Sequence, residues 1–303
     1  MAPRHLVVNA DDLGLTAGVN DGIFDAHDAG ILTSASLIAN APATADAIRR
    51  VRTHPSLGIG VHLMLVDGTP VLPPGDVPTL IADDERFRPS WKPFIAACLE
   101  RRVSLVEVER ELTAQIERVR RAGIEPTHLD SHKHVHAYPP VFAIVARLAA
   151  RFGIPVVRVP YEGGVGRVGP VRRVGQGGQV GRVGQVLLNW AMWPWARRNY
   201  RTAASLGLRA PNFVGRMHTG VIDRSALHAM LRGTAEGVTE LMVHPGYVDE
   251  SLMRMNTRLL ESRERELALL CSMETRAVVA VERIDLVRHD LNHVVKRKVR
   301  HVS

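Results

Sequence analysis

The sequence predicts an α/β fold, a distorted β/α barrel in a single domain, on three observations. Short β-rich runs alternate with longer helical patterns along most of the 303 residues, the signature of parallel strands joined by helical crossovers. Apolar runs such as Leu6-Val7-Val8 are continuous rather than alternating, as in strands covered on both faces. The length exceeds that of an ordinary domain but lies within the range one such barrel occupies.

The elements follow in order. Strands are expected over residues 5–10, 33–39, 58–65, 127–130, 155–159 and 240–243, with helices over 19–29, 105–121, 141–152 and 257–273. In the second of these helices Leu105, Val108, Leu112, Ile116 and Val119 recur at steps of three and four, which places one apolar stripe on it. Residues 163–185 break the rhythm with a Gly/Val/Arg stretch that carries a loose GRVG repeat, too rich in glycine for a stable helix. A piece holding Trp190, Trp193 and Trp195 beside an arginine pair follows. We read residues 163–201 as an insertion in one domain spanning 1–303, and 288–303 as a basic tail.

With 46% hydrophobic and 23% charged residues, a sizeable buried core is expected and global disorder is not. The net charge of +8 resides in those two appendages: seven arginines without an acid between 163 and 201, and Lys296, Arg297, Lys298 and Arg300 near the end. Without these eleven side chains the rest is mildly acidic, so the total charge does not mark a nucleic-acid binder. The aromatic residues cluster in one patch instead of interleaving with the basic run, so neither a stacking platform nor a nucleic-acid motif is expected. Cys98 and Cys271 stand far apart without metal or redox spacing and read as free thiols, which suits a reducing cytoplasm. The amino terminus does not read as a signal peptide, and no window reaches the roughly 18–20 apolar residues of a spanning helix, so a soluble or peripheral protein is expected.

Asp11 and Asp12 follow the first strand at once, which puts two carboxylates at its carboxyl end, where barrel active sites are built. A bound cation would offset their repulsion, one carboxylate coordinating it and the other taking a proton from the attacking water; the plainer alternative is a pair that caps the next turn. His62 lies in the apolar strand GIGVHLML, where a lone ring is also compatible with a core role. His132, His134 and His136 trail a short strand with Asp130 just upstream, a cluster suited to a divalent metal with an acid orienting a ring from behind. Each piece ends a different strand, and strand ends of one barrel converge on one mouth. Two imidazoles, a carboxylate and an open position suit Zn, and also Mn or Co, whereas Mg prefers more oxygen ligands. Arg158, in RVPYE, can hold a carboxylate bidentately, and His244, in MVHPG, can protonate a leaving amine.

At these words the sequence resembles the YdjC/ChbG family of carbohydrate deacetylases: NADDLG at 9–14, GVHLML at 60–65, THLDSHKHVH at 127–136 and HPGY at 244–247. The resemblance runs from the first strand to about residue 275, apart from the Gly/Val/Arg stretch. It implies a distorted barrel that hydrolyses N-acetyl groups on sugars with one divalent metal, whether Zn, Mg, Mn or Co. It also implies Asp12, His62 and His132 as ligands, Asp11 as base and His244 as acid; from their places at the strand ends, Arg158 joins the catalytic set and Asp130, His134, His136 and Tyr161 are expected around the substrate or behind the ligands. Leu13 stands where the family often has Phe, which leaves the acids in place. RVPY at 158–161 also looks like the arginine-bearing motif of NodB-type polysaccharide deacetylases, and by that analogy His136 would replace His62 as a ligand.

The Trp/Arg-rich piece makes the chain most similar to the hopanoid-biosynthesis-associated branch (HpnK). That resemblance implies an N-acetylglucosaminyl lipid as substrate, with Trp190, Trp193 and Trp195 at the inner membrane face. A soluble chito-oligosaccharide is the second reading of the substrate, and a metal-dependent phosphoesterase a third reading of the site.

Overall fold

The computed structural model describes residues 3–163 and 192–290. Its centre is a sheet of seven strands: β1 (Arg4–Leu13), β2 (Ser34–Leu37), β3 (Gly58–Leu63), β4 (Leu129–Ser131), β5 (Asn212–Val214), β6 (Gly237–Val243) and β7 (Ile284–Leu286). Around it lie α1 (Ala17–Ala29), α2 (Thr44–Val51), α3 (Trp91–Leu99), α4 (Leu105–Arg121), α5 (Pro139–Phe152), α6 (Trp193–Ser205), α7 (Arg224–Arg232), α8 (Glu250–Met253), α9 (Glu261–Cys271) and α10 (Met273–Val281). All the ladders are parallel, and the strand order is β4-β3-β2-β1-β6-β5.

Two single bridges, Leu129 with Val157 and Val156 with Arg209, link β4 to the approach of β5 and carry the half-barrel round toward a ring. The strand expected over 155–159 is therefore only a two-residue contact. Pro155 and Pro160 flank it, and each removes a donor that a longer ladder would need. On the far side, β1 shares one edge between two partners: β7 pairs with Arg4, His5 and Leu6, and β2 with Asn9, Ala10 and Leu13. The fold is thus a single α/β domain with a distorted barrel, as expected. The three-residue strands β5 and β7 are too short to show a period and are absent from the sequence reading.

Helix α4 matches its expected bounds, starts where the Ser104 hydroxyl accepts from the Glu107 N–H, and buries Val108, Leu112, Ile116 and Val119. The helix expected over 257–273 is shorter, because Ser272 ends α9 and caps α10 by accepting from the Thr275 N–H. Residues 193–205, the close of the expected insertion, form α6, which packs on α5 and is tied to the barrel by the Asn199 side-chain N–H donating to the Ala137 carbonyl, 2.9 Å. The Gly/Val/Arg stretch from 164 and the tail from 291 lie outside the described residues.

Candidate active site

Adjacent side chains of a regular strand point to opposite faces, so two neighbouring carboxylates reach one site only if the strand is distorted. β1 carries that distortion. Its register with β2 slips between Ala10 and Leu13, and Asp12 takes a left-handed backbone, φ 71°. The carboxylates of Asp11 and Asp12 thereby both line one cleft of about 1510 Å³ at the carboxyl end of the sheet, together with His62, His132, His134 and His244.

Asp11 is clamped by Arg158, whose Nη1 and Nη2 donate to its two oxygens at 2.8 and 2.7 Å; the Asn9 amide donates a third bond at 3.0 Å. The same guanidinium donates to Glu240 at 2.8 and 2.6 Å and lies 2.8 Å from Asp130. Burial opposes ionisation of Asp11, yet the Arg158 charge outweighs it and holds the carboxyl well below its ordinary value. Arg158 is 1% exposed and absent from the cleft lining, so it is a positioning residue and not a group that meets substrate.

Asp12 faces a different set. Arg263 Nη2 lies 2.6 Å from its Oδ2, and its Oδ1 lies 3.1 Å from His132 Nδ1 and 3.5 Å from His62 Nε2. The other nitrogen of His62 meets Asp130 at 2.9 Å, and Asp130 also accepts from the Ser36 hydroxyl at 2.7 Å. With Nδ1 engaged by Asp130, His62 turns Nε2 toward Asp12, the orientation a metal-binding imidazole takes, while burial is outweighed by Asp130, Asp11 and Asp12, which raise its pKa. One ligand atom from each of Asp12, His62 and His132 lies within 4.8 Å of the others. A single ion held at tetrahedral bond lengths needs ligands about 3.4 Å apart, so this donor set fits one divalent cation. The neighbouring trio Asp11, His62 and Asp130 is equally compact, but Arg158 already neutralises its carboxylates.

Burial alone would lower His132, but bonds to Asp12 and Asp67 raise it to about 9, and burial of Asp12 is overridden by Arg263 and His132, which hold it well below its usual range. Burial pushes His244 down to about 4, against the pull of Asp11 and Asp12, so the ring is neutral near pH 7. Its backbone N–H donates to Glu266 at 2.7 Å, and burial raises Glu266 to about 7. The turn behind His244 is fixed by backbone packing: Gly22 of α1 lies against Gly246 with no room for a Cβ.

The three histidines after β4 separate because Lys133 and His134 are both left-handed, φ 52° and 54°. His132 turns to Asp12, while His134 lines the cleft beside Phe213. His136 turns back into the barrel, its Nδ1 2.5 Å from the Ser131 hydroxyl and its Nε2 donating to the Arg158 carbonyl at 2.9 Å. Both of its nitrogens are engaged away from Asp12, and it belongs to neither compact donor group found among the described residues. Tyr161, expected around the substrate or behind the ligands, packs at a tilt on Trp193, ring centroids 5.2 Å apart, and does not line the cleft. Trp195 lines the cleft, Trp193 is 46% exposed, and Trp190 lies outside the described residues.

The model of the YdjC-like protein family matches residues 5–281. The chain belongs to the YdjC-like family. A carbohydrate deacetylase of Brevibacillus brevis is 32% identical over 93% of this YdjC-like chain and 97% of that protein. A second, of Geobacillus stearothermophilus, is 44% identical over 51% of the chain and 59% of its own length. A solved structure from Enterococcus faecalis, described as a cellobiose-phosphate cleavage protein, superposes with a TM-score of 0.76 at 25% identity, covering 95% of this chain and 98% of that one.

Several site residues of the YdjC-like chain escape sequence reasoning. Arg263, the counter-charge of Asp12, sits in ESRERELALL, which reads as an exposed charged helix, and Glu240 sits in a strand otherwise read as apolar. Asp67 and Lys133, 2.6 Å apart beside His132, belong to a loop and to a turn without recognisable spacing. Only the proximity of Lys133 to the histidine cluster offers a signal.

Proposed function

We propose that the chain is a metal-dependent hydrolase that removes the N-acetyl group of an amino sugar. The observation that carries this reading is the pairing of an ionised carboxylate, Asp11, clamped at the edge of a compact Asp12–His62–His132 donor set, with a neutral imidazole, His244, lining the same cleft. A divalent ion on those three residues would supply Lewis acidity toward the acetamide carbonyl and toward water. Asp11 takes the proton of the attacking water; the Arg158 clamp keeps it charged and fixes its direction at some cost in basicity. His244 protonates the departing amine. Because its ring is neutral beforehand, the proton it hands to the nitrogen is the one Asp11 removed from the water, passed to His244 within the turnover. Acetate and the free amino sugar result.

For the substrate, an N-acetylglucosaminyl lipid of the hopanoid type is the reading we favour, with the enzyme peripheral at the cytoplasmic face of the membrane. What supports it is α6, which brings Trp195 to the cleft and carries exposed Trp193, Arg197, Arg198 and Arg201 beside it, a composition suited to a headgroup layer with anionic lipid. No helix among the described residues is long and apolar enough to cross a membrane. A soluble chito-oligosaccharide is the second reading, compatible with relatives named carbohydrate deacetylases.

Acetate release from N-acetylglucosaminyl lipid and from diacetylchitobiose, with chelator and after metal restoration, tests both levels. Release abolished by chelator and recovered with metal is expected. Acetate from neither substrate in the metal-restored protein removes the deacetylase reading, and activity indifferent to chelator removes the metal. Failure to bind anionic vesicles at low salt would favour the soluble sugar.

A further inference from the structure

One buried carboxyl group beside the catalytic set has no part in the hydrolysis described above. Glu266 is 1% exposed, and its Oε2 accepts from the His244 backbone N–H at 2.7 Å. Its other oxygen, Oε1, has no hydrogen-bond partner among the described residues. Two arginines of the same helix serve other groups: Arg263 donates to Asp12 and to the Leu259 carbonyl, Arg265 to the carbonyls of Ile222 and Gly220. Three positions apart, α9 thus presents a guanidinium to the donor set and a carboxyl group to the turn that carries the acid.

Holding that turn does not call for a charge. The contact of Gly22 with Gly246 already fixes it, and a glutamine could accept the same bond. Burial raises Glu266 from 4.5 to about 7, so the stability the group contributes is full below 4.5 and lost as the pH climbs through 7. Against burial work the His244 N–H, Arg263 and Arg265; Asp11 of β1 adds to it. On α1, Asp21, Asp25 and His27 turn to Arg50, Tyr247 and Ser56, and on α10, Glu274 and Arg276 turn to Arg224 and the Cys271 carbonyl. A carboxyl group so perturbed at the back of a cleft is a candidate for a part in the chemistry.

His244 has the complementary need. Its ring becomes an imidazolium when it takes up the proton that Asp11 removed from water, and burial disfavours that cation. Asp11 and Asp12 favour it, but Arg158 clamps the first and Arg263 the second. Glu266 carries no such clamp. We propose that Glu266 is a positioning residue for His244, its ionised carboxylate fixing the place of the ring in the cleft and favouring the imidazolium from which the amine is protonated. The proton passes from Asp11 to the ring and from the ring to the nitrogen as the C–N bond breaks; Glu266 neither gives nor takes one. The assignment rests on the deacetylase reading and adds to it the group that acts behind its acid.

The test uses zinc-loaded protein and whichever of diacetylchitobiose and N-acetylglucosaminyl lipid yields acetate. Glu266→Gln, with unchanged circular dichroism and zinc content, loses about tenfold in kcat with little change in KM, part of the roughly 10²- to 10⁴-fold that a general acid supplies. In the His244→Ala background the same substitution costs nothing further, because it acts through that ring. Native kcat in Glu266→Gln, or an equal loss in both backgrounds, overturns the proposal. Nuclear magnetic resonance gives a readout that needs no turnover. The His244 amide and ring Cε1–H resonances of the native protein both move with a midpoint near pH 7, where the ring itself stays neutral, and Glu266→Gln abolishes both shifts. If neither substrate yields acetate but this titration is seen, the coupling of Glu266 to His244 stands and the deacetylase reading falls. Resonances that do not move remove the coupling whatever the activity.

Discussion

Arg158 is the residue on which the buried charges of the barrel depend, because one guanidinium meets Asp11, Asp130 and Glu240 at once. Arg158→Met should destabilise the protein by about 3–5 kcal/mol, the cost of stranding buried charge, measurable as a lower midpoint in urea. Arg158→Lys keeps the charge but not the fork, and should lose turnover more than stability as Asp11 loses its fixed direction. The histidines divide in the same way. His132→Ala should abolish metal binding as read by atomic absorption, whereas His136→Ala should retain the metal and lose stability, since its two nitrogens serve Ser131 and the Arg158 carbonyl. Much of this site is legible in the sequence. Asp11, Asp12, His62, His132 and His244 stand at strand ends in compact words, and strand ends converge. Arg263 is not legible, because nothing in a run of alternating charges tells which arginine turns inward; that is decided by how α9 lies against the end of β1.

At the level of elements, two local distortions aim the chemistry: the bulge that turns two successive aspartates into one cleft, and the left-handed pair Lys133–His134 that parts His132 from its neighbours. Left-handed backbone at non-glycine residues has to be held by its surroundings. Here Lys133 Nζ meets Asp67 at 2.6 Å, and Asp67 lies 3.6 Å from His132 Nε2. Asp67→Asn and Lys133→Met should therefore each weaken metal affinity about 10- to 100-fold in a chelator competition, with little change in far-UV circular dichroism. Equal affinity in both variants would show that the turn holds itself. Neither distortion is visible in periodicity, since Asp and His tolerate left-handed backbone without announcing it, whereas the bounds of the regular helix α4 and four of its five stripe positions are read correctly, Leu105 at its exposed first turn being the exception. The expected fifth strand fails for a reason the sequence does contain, a proline at each end.

Across the whole molecule, the buried ion pairs beneath the cleft join four carboxyl groups, Asp11, Asp12, Asp130 and Glu240, to two guanidiniums, Arg158 and Arg263, an excess that one divalent cation would offset. Without the metal, the charged ring of His132 takes its place in part. Its value is raised from 6.5 to about 9, so the stability it contributes is full below 6.5 and lost as the pH climbs through 9. A metal needs the neutral ring, so apparent metal affinity should rise with pH over that window, by about tenfold per unit. The difference in melting temperature between metal-loaded and chelator-treated protein should widen accordingly; a constant difference from pH 6.5 to 9 would remove His132 from the ligand set.

The contact of Asp12 with Arg263 spans 251 positions along the chain, and that of Asp11 with Arg158 spans 147. During synthesis, then, Asp11 precedes its counter-ion by 147 residues and Asp12 precedes its own by 251. The last of these counter-ions belongs to α9, so a fragment ending before α9 keeps the clamp on Asp11 but leaves Asp12 buried without the charge that holds it.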